Sequence, residues 1–248
     1  MMVTRRRWHA AQQYEQRFWA DIAGKIESGA RNQLNWYRWK ASEFEKRIGR
    51  SVDGRKSTHG KILEIGSGPI GIVNFLEWGE RFAIDPLEDF YRESSTLTAS
   101  RKPEVTYTKG TAEHLPYPDN FFSLVIIDNV IDHTHVPVKV LQEIHRVLEN
   151  KGLLYLAVNI RTVWGAFVHT LLATCRVDKG HPHTFTNEGI RKFLTAHRFH
   201  ICMEESEDYR RIKQRFCQSK KMKERIKGYT GIAEFLYHVV CQKILKTE

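Results

Sequence analysis

Apolar positions recur with two different periods along the chain, and the change of period divides it. Trp8, Tyr14, Phe18, Ile22 and Ile26 return at near-helical spacing, and Leu34, Tyr37, Ala41, Phe44 and Ile48 do so again. Such stripes predict two amphipathic helices over residues 8–48. Residues 51–60, rich in Gly, Ser and charge, predict a linker. Beyond it, short apolar runs at 61–65, 81–85, 105–109, 123–128 and 153–158 predict strands. Helices are predicted between them at 72–78 and 87–99, and after Pro137, where Val140, Leu141, Ile144, Val147 and Leu148 form an apolar stripe. Strands with apolar residues at successive positions, alternating with helices, imply an α/β fold whose mostly parallel sheet is buried on both faces. Residues 187–197 predict one more helix and residues 199–203 and 210–216 two last strands. Ile232, Phe235, Leu236, Val239, Val240 and Ile244 predict a C-terminal helix.

The first strand ends in glycines at Gly66, Gly68 and Gly71. Glycine accepts positive φ and has no side chain, so the backbone turns sharply there and lies close to a ligand. Asp85 follows Gly66 by 19 residues, at the tip of the second strand. An acid there accepts hydrogen bonds from both ribose hydroxyls of a nucleotide held at the glycine turn. The same carboxylate also suits a helix cap.

From residue 61 to about residue 159 the sequence resembles the class I S-adenosylmethionine-dependent methyltransferases. The resemblance rests on Glu64-Ile-Gly66-Ser67-Gly68, on Asp85, and on the loop Gly110-Thr111-Ala112-Glu113-His114-Leu115-Pro116. It continues through residues 123–133 at the fourth strand and through Glu143–Gly152 before the fifth. It implies a seven-stranded Rossmann-like sheet with helices on both faces and the last strand antiparallel. It implies S-adenosylmethionine as cofactor: Gly66, Ser67 and Gly68 against its methionine part, Glu64 facing the ammonium group, and Asp85 on the ribose. The loop at Thr111, Ala112 and Glu113 would edge the adenine, and Asp128 would close the site from the fourth strand. Many relatives carry Asp where this chain has Thr111, which removes a side-chain contact to the adenine amino group. Nicotinamide-dependent dehydrogenases share the glycine turn and the acid, but Glu64 separates the two: a buried acid repels a pyrophosphate and attracts a cationic methionyl group.

Three histidines are candidate general bases for a hydroxyl acceptor: His133 at the mouth of the fourth strand, and His181 and His183 in an insertion over residues 159–186. Each is also readable as a structural histidine. No metal site is expected, because His181 and His183 lack a third ligand nearby. The expected domain plan is an N-terminal helical extension at 1–59, the methyltransferase domain at 60–218 and a basic tail at 219–248. The expected activity is O-methylation of a small molecule or glycan, ahead of protein or RNA methylation and of a silent binding fold.

Composition adds three points. The net charge of +10 is concentrated, with nine Lys or Arg between residues 209 and 228 against Glu224 alone. This segment is expected to meet an anionic membrane face rather than nucleic acid. Four widely spaced cysteines form no Cys-x-x-Cys pair, and the basic start leads into no apolar run, so a cytoplasmic, membrane-peripheral setting is expected. No run of 18 apolar residues predicts a spanning helix.

Overall fold

The computed structural model describes residues 3–31, 34–51, 60–174 and 182–245. In chain order it builds helices α1 (Arg5–Glu27) and α2 (Trp36–Ser51), strand β1 (Lys61–Ile65), strand β2 (Glu80–Asp85), and short helices α3 (Glu88–Arg92) and α4 (Ser95–Thr98). Strands β3 (Val105–Lys109) and β4 (Phe122–Asp128), helix α5 (Pro137–Val147), strand β5 (Leu148–Ile160), and helices α6 (Val163–Thr174) and α7 (Asn187–Ala196) follow. Strand β6 (Phe199–Ser206), helices α8 (Tyr209–Cys217) and α9 (Met222–Thr230), and strand β7 (Phe235–Lys243) complete it. The seven strands form one sheet in the order β3-β2-β1-β4-β5-β7-β6. All neighbours pair in parallel except β7, which is antiparallel to both β5 and β6.

Alternation along each central strand supplies two cores. On β4, Val125 and Ile127 face the stripe of α5 (Val140, Leu141, Ile144, Val147) and Ile190 and Leu194 of α7. Leu124 and Ile126 point the other way, onto Ala41, Phe44 and Ile48 of α2. Helix α2 thus forms part of the sheet's second covering layer, whereas α1 packs Trp19 and Ile22 against Ile70, Tyr91 and Leu97. The first α-helix expected after β1 is absent: residues 73–75 make a single 3₁₀ turn. Seven residues separate Gly71 from Gly79, too few for a stable helix, and Phe44 of α2 packs beside Ile72, Val73 and Leu76 there. The helix expected at 87–99 is divided, with Ser94 capping α4 through its hydroxyl on Leu97 N–H.

Two further expectations are corrected. Residues 210–216 lie in helix α8, opened by Asp208, whose side chain accepts from Arg210 N–H. The predicted C-terminal helix is β7, seated between β5 and β6, so residues 235–243 belong to the sheet. Val239, Val240 and Cys241 are fully buried. A strand covered on both faces loses its period of two, and its apolar residues then fit helical spacing equally well. No described helix is long and apolar enough to cross a membrane.

Candidate active site

The carboxyl ends of β1, β2 and β4 open into a cavity of about 350 Å³. Ligands of open α/β sheets bind at this edge. Gly66 and Gly68 hold φ of +68° and +61°. A Cβ on Gly66 would collide with the Val130 side chain, and one on Gly68 with the Tyr37 hydroxyl. These two positions therefore require glycine for backbone conformation and for space alike. Ser67, buried beside them, donates its hydroxyl to the Gly68 carbonyl at 3.0 Å.

Asp85 holds the backbone at the tip of β2. Its Oδ2 accepts from Gly68 N–H at 2.9 Å and its Oδ1 from Leu87 N–H at 2.8 Å, so it ties the glycine turn to the start of α3. Each oxygen keeps a lone pair for a ligand hydroxyl. Glu64 accepts from Val73 N–H at 2.9 Å and pins the turn from below. Burial raises Glu64 from its ordinary 4.5 to about 7, and Asp85 from 3.8 to about 6. Two desolvated carboxylates on one wall favour an arriving cation. Asp128 is satisfied differently: its Oδ1 accepts from Lys40 Nζ and from Asn129 Nδ2, each at 2.8 Å. Asn159 Nδ2 donates in turn to Asn129 Oδ1 at 2.9 Å.

Thr111, Ala112 and Glu113 line a smaller pocket of about 40 Å³ whose walls also include Gly66, Pro86, Val130 and His133. The last four also border the main cavity, so the two spaces adjoin. Glu113 Oε1 accepts from the backbone N–H of His135 and Val136, at 2.7 and 3.1 Å, anchoring the loop that carries His133. His133 lines both spaces, with its Nε2 at 3.8 Å from Asp132 Oδ2. His183 lies behind that loop. Its Nε2 sits 2.9 Å from the Thr134 carbonyl and its backbone N–H donates to the Asp132 carbonyl. Burial lowers its pKa. That places His183 as a support of the loop, outside the cavity wall, and His181 lies outside the described residues.

Trp19 also lines the cavity, as do Tyr37 and Lys40, which were not among the candidate site residues. Trp19 and Tyr37 stack with ring centroids 6.5 Å apart, Trp36 joins them, and Tyr91 meets Trp19 edge-on. Together with Gln12, Glu15 and Phe18 they roof the glycine turn. The concentration of four of the six tryptophans within residues 8–39 was the available signal.

Strand order, glycine turn and paired buried acids define the class: the Rossmann-like fold of class I S-adenosylmethionine-dependent methyltransferases. Residues 63–156 match the family described as "Methyltransferase domain". An uncharacterized methyltransferase of Schizosaccharomyces pombe is 29% identical over 103 residues, 37% of this chain and 37% of that protein. The chain thus spans well under half the length of that curated relative. Among solved structures, a Bacillus halodurans chain described as a "putative methyltransferase" superposes with a TM-score of 0.59 at 20% identity, over 82% of this chain and all of that one. A Haemonchus contortus phosphoethanolamine N-methyltransferase solved with S-adenosyl-L-methionine gives 0.60 at 16% identity, over 82% of this chain and 53% of that one. The cofactor of the class is S-adenosylmethionine, and the residues present fit it: the glycine turn leaves backbone room, and Glu64 and Asp85 both line the cavity.

Proposed function

We propose that this chain transfers a methyl group from S-adenosylmethionine to a hydroxyl of a small molecule or glycan. The observation that carries this reading is His133, a base-type side chain on the wall of a cavity roofed by aromatic rings. When bound, the cofactor supplies an electrophilic methyl on a sulfonium that is its own leaving group. The chain's task is then alignment and exclusion of water. Trp19, Trp36 and Tyr37 cover the glycine turn, which suits a small enclosed acceptor better than a protein or RNA strand. His133 takes the proton from the acceptor hydroxyl, and the Asp132 carboxylate beside its ring stabilises the imidazolium that results. Lys40, held by Asp128, puts a positive charge on the cavity wall and gives the acceptor a fixed polar contact.

Acceptor profiling with a labelled methyl donor tests this. The label is expected in a small hydroxylated compound, and His133→Ala should cut turnover at saturating acceptor by roughly a hundredfold while cofactor affinity stays nearly unchanged. Labelling of protein or RNA alone, or an unchanged rate in the variant, would contradict it.

A further inference from the structure

The basic segment lies mostly on α8 and α9, and α6 packs against the end of α9. Trp164 Nε1 donates to the Thr230 carbonyl at 3.0 Å, and Arg161 reaches the Ile232 carbonyl at 2.8 Å. At that junction two apolar stripes meet. Val163, Trp164 and Phe167 lie along α6, with the two aromatic rings stacked at 6.0 Å. Met222, Ile226 and Tyr229 lie along α9 at i, i+4 and i+7. All six side chains are between 53% and 79% exposed. Large apolar residues gathered this way mark an interaction surface.

Charge says what kind of partner fits. Arg211 pairs with Asp208 at 3.6 Å, Lys221 with Glu224 at 3.1 Å, and Lys227 with Glu234. Arg210, Lys213, Arg215, Lys220, Lys223 and Arg225 are exposed and have no ion-pair partner among the described residues. Protein interfaces are depleted of lysine at their centres, whereas exposed tryptophan, tyrosine and aliphatic side chains beside dense positive charge suit the headgroup layer of an anionic bilayer. We infer that α6, α8 and α9 form a docking surface for an anionic membrane face. The apolar stripes enter the interface, and the basic side chains meet the lipid phosphates. Helix α6 leaves the carboxyl end of β5, the same edge of the sheet at which the methyltransferase cavity opens. Docking would therefore place that edge toward the lipid. The inference stands on the surface alone, independent of the acceptor proposed above.

Co-sedimentation with phosphatidylglycerol-containing vesicles and with pure phosphatidylcholine vesicles, at low and high salt, is the test. The full chain should sediment with the anionic vesicles at low salt, be released at high salt, and ignore the neutral ones. Lys223→Glu/Arg225→Glu should weaken binding about tenfold or more, since each basic side chain near an anionic surface adds up to roughly fivefold. Phe167→Glu and Ile226→Glu should each abolish sedimentation while leaving the melting temperature and S-adenosylmethionine affinity unchanged, because both side chains project from the surface. Equal behaviour of the two vesicle types at low salt would overturn the inference. So would wild-type sedimentation of all these variants, or tighter binding of a single-stranded RNA oligomer than of the anionic vesicles.

Discussion

Glu64→Gln separates what the acid does for the fold from what it does for the ligand. In the free protein burial holds Glu64 at about 7 and Asp85 at about 6, against ordinary values of 4.5 and 3.8. Both values are raised, so the stability the two groups contribute is fully present below the ordinary carboxylate range. It is lost as pH rises through about 6 to 7. For Glu64 the rise from 4.5 to about 7 amounts to at most about 3 kcal/mol. Glutamine keeps an acceptor for Val73 N–H and carries no charge, so the variant should melt higher than wild type near neutral pH and equally at acid pH. Cofactor binding should run the other way. A cationic methionyl group and the ribose hydroxyls favour both carboxylates ionised, and at about pH 5 only ~1% of Glu64 and ~10% of Asp85 are so. Affinity for S-adenosylmethionine should therefore rise between about pH 5 and pH 8 by up to roughly a thousandfold, about 4 kcal/mol. Calorimetry across that range, in buffers of different ionisation enthalpy, would also read the protons released on binding. In Glu64→Gln the step near pH 7 should vanish and the step near pH 6 remain. A flat affinity profile in wild type, or the same profile in the variant, would refute the reasoning.

Asp85→Ala should weaken cofactor binding by about 1.5–3 kcal/mol, since charge-assisted hydrogen bonds are lost. It should also lower the melting temperature, because Gly68 and Leu87 lose their acceptor. Gly68→Ala forces a side chain into positive φ and against the Tyr37 hydroxyl, at a cost of about 1–3 kcal/mol in stability. Making the same change in a Tyr37→Phe background should recover part of that loss, and a denaturation-based double-mutant cycle showing strict additivity would count against the contact.

The parts of the site that one segment carries were readable in the sequence. Gly66 and Gly68 announce themselves because the turn they build is local, Asp85 because it ends the next strand, and the strand order of the sheet agrees with the motif order. Strand β7 was misread because Val239, Val240 and Cys241 are covered on both faces, leaving no alternation to betray a strand. Helix α8 is nine residues long with one buried side chain, Ile212, so its period carried little signal. Tyr37, Lys40 and Trp19 reach the cavity through the docking of α1 and α2 onto the sheet edge, a long-range arrangement that spacing along the chain does not encode. The same holds for His183, whose bond to the Thr134 carbonyl spans 49 residues.

The roofed cavity at the ends of β1, β2 and β4 is the place we assign to S-adenosylmethionine. Parallel calorimetric titrations of the wild-type chain with S-adenosylmethionine and with NAD, near pH 8 where both acids are ionised, test it most directly. Low-micromolar binding of S-adenosylmethionine, about 7–8 kcal/mol, with no comparable binding of NAD, is the expected result. Equal or tighter binding of NAD, or no heat with S-adenosylmethionine, would contradict it.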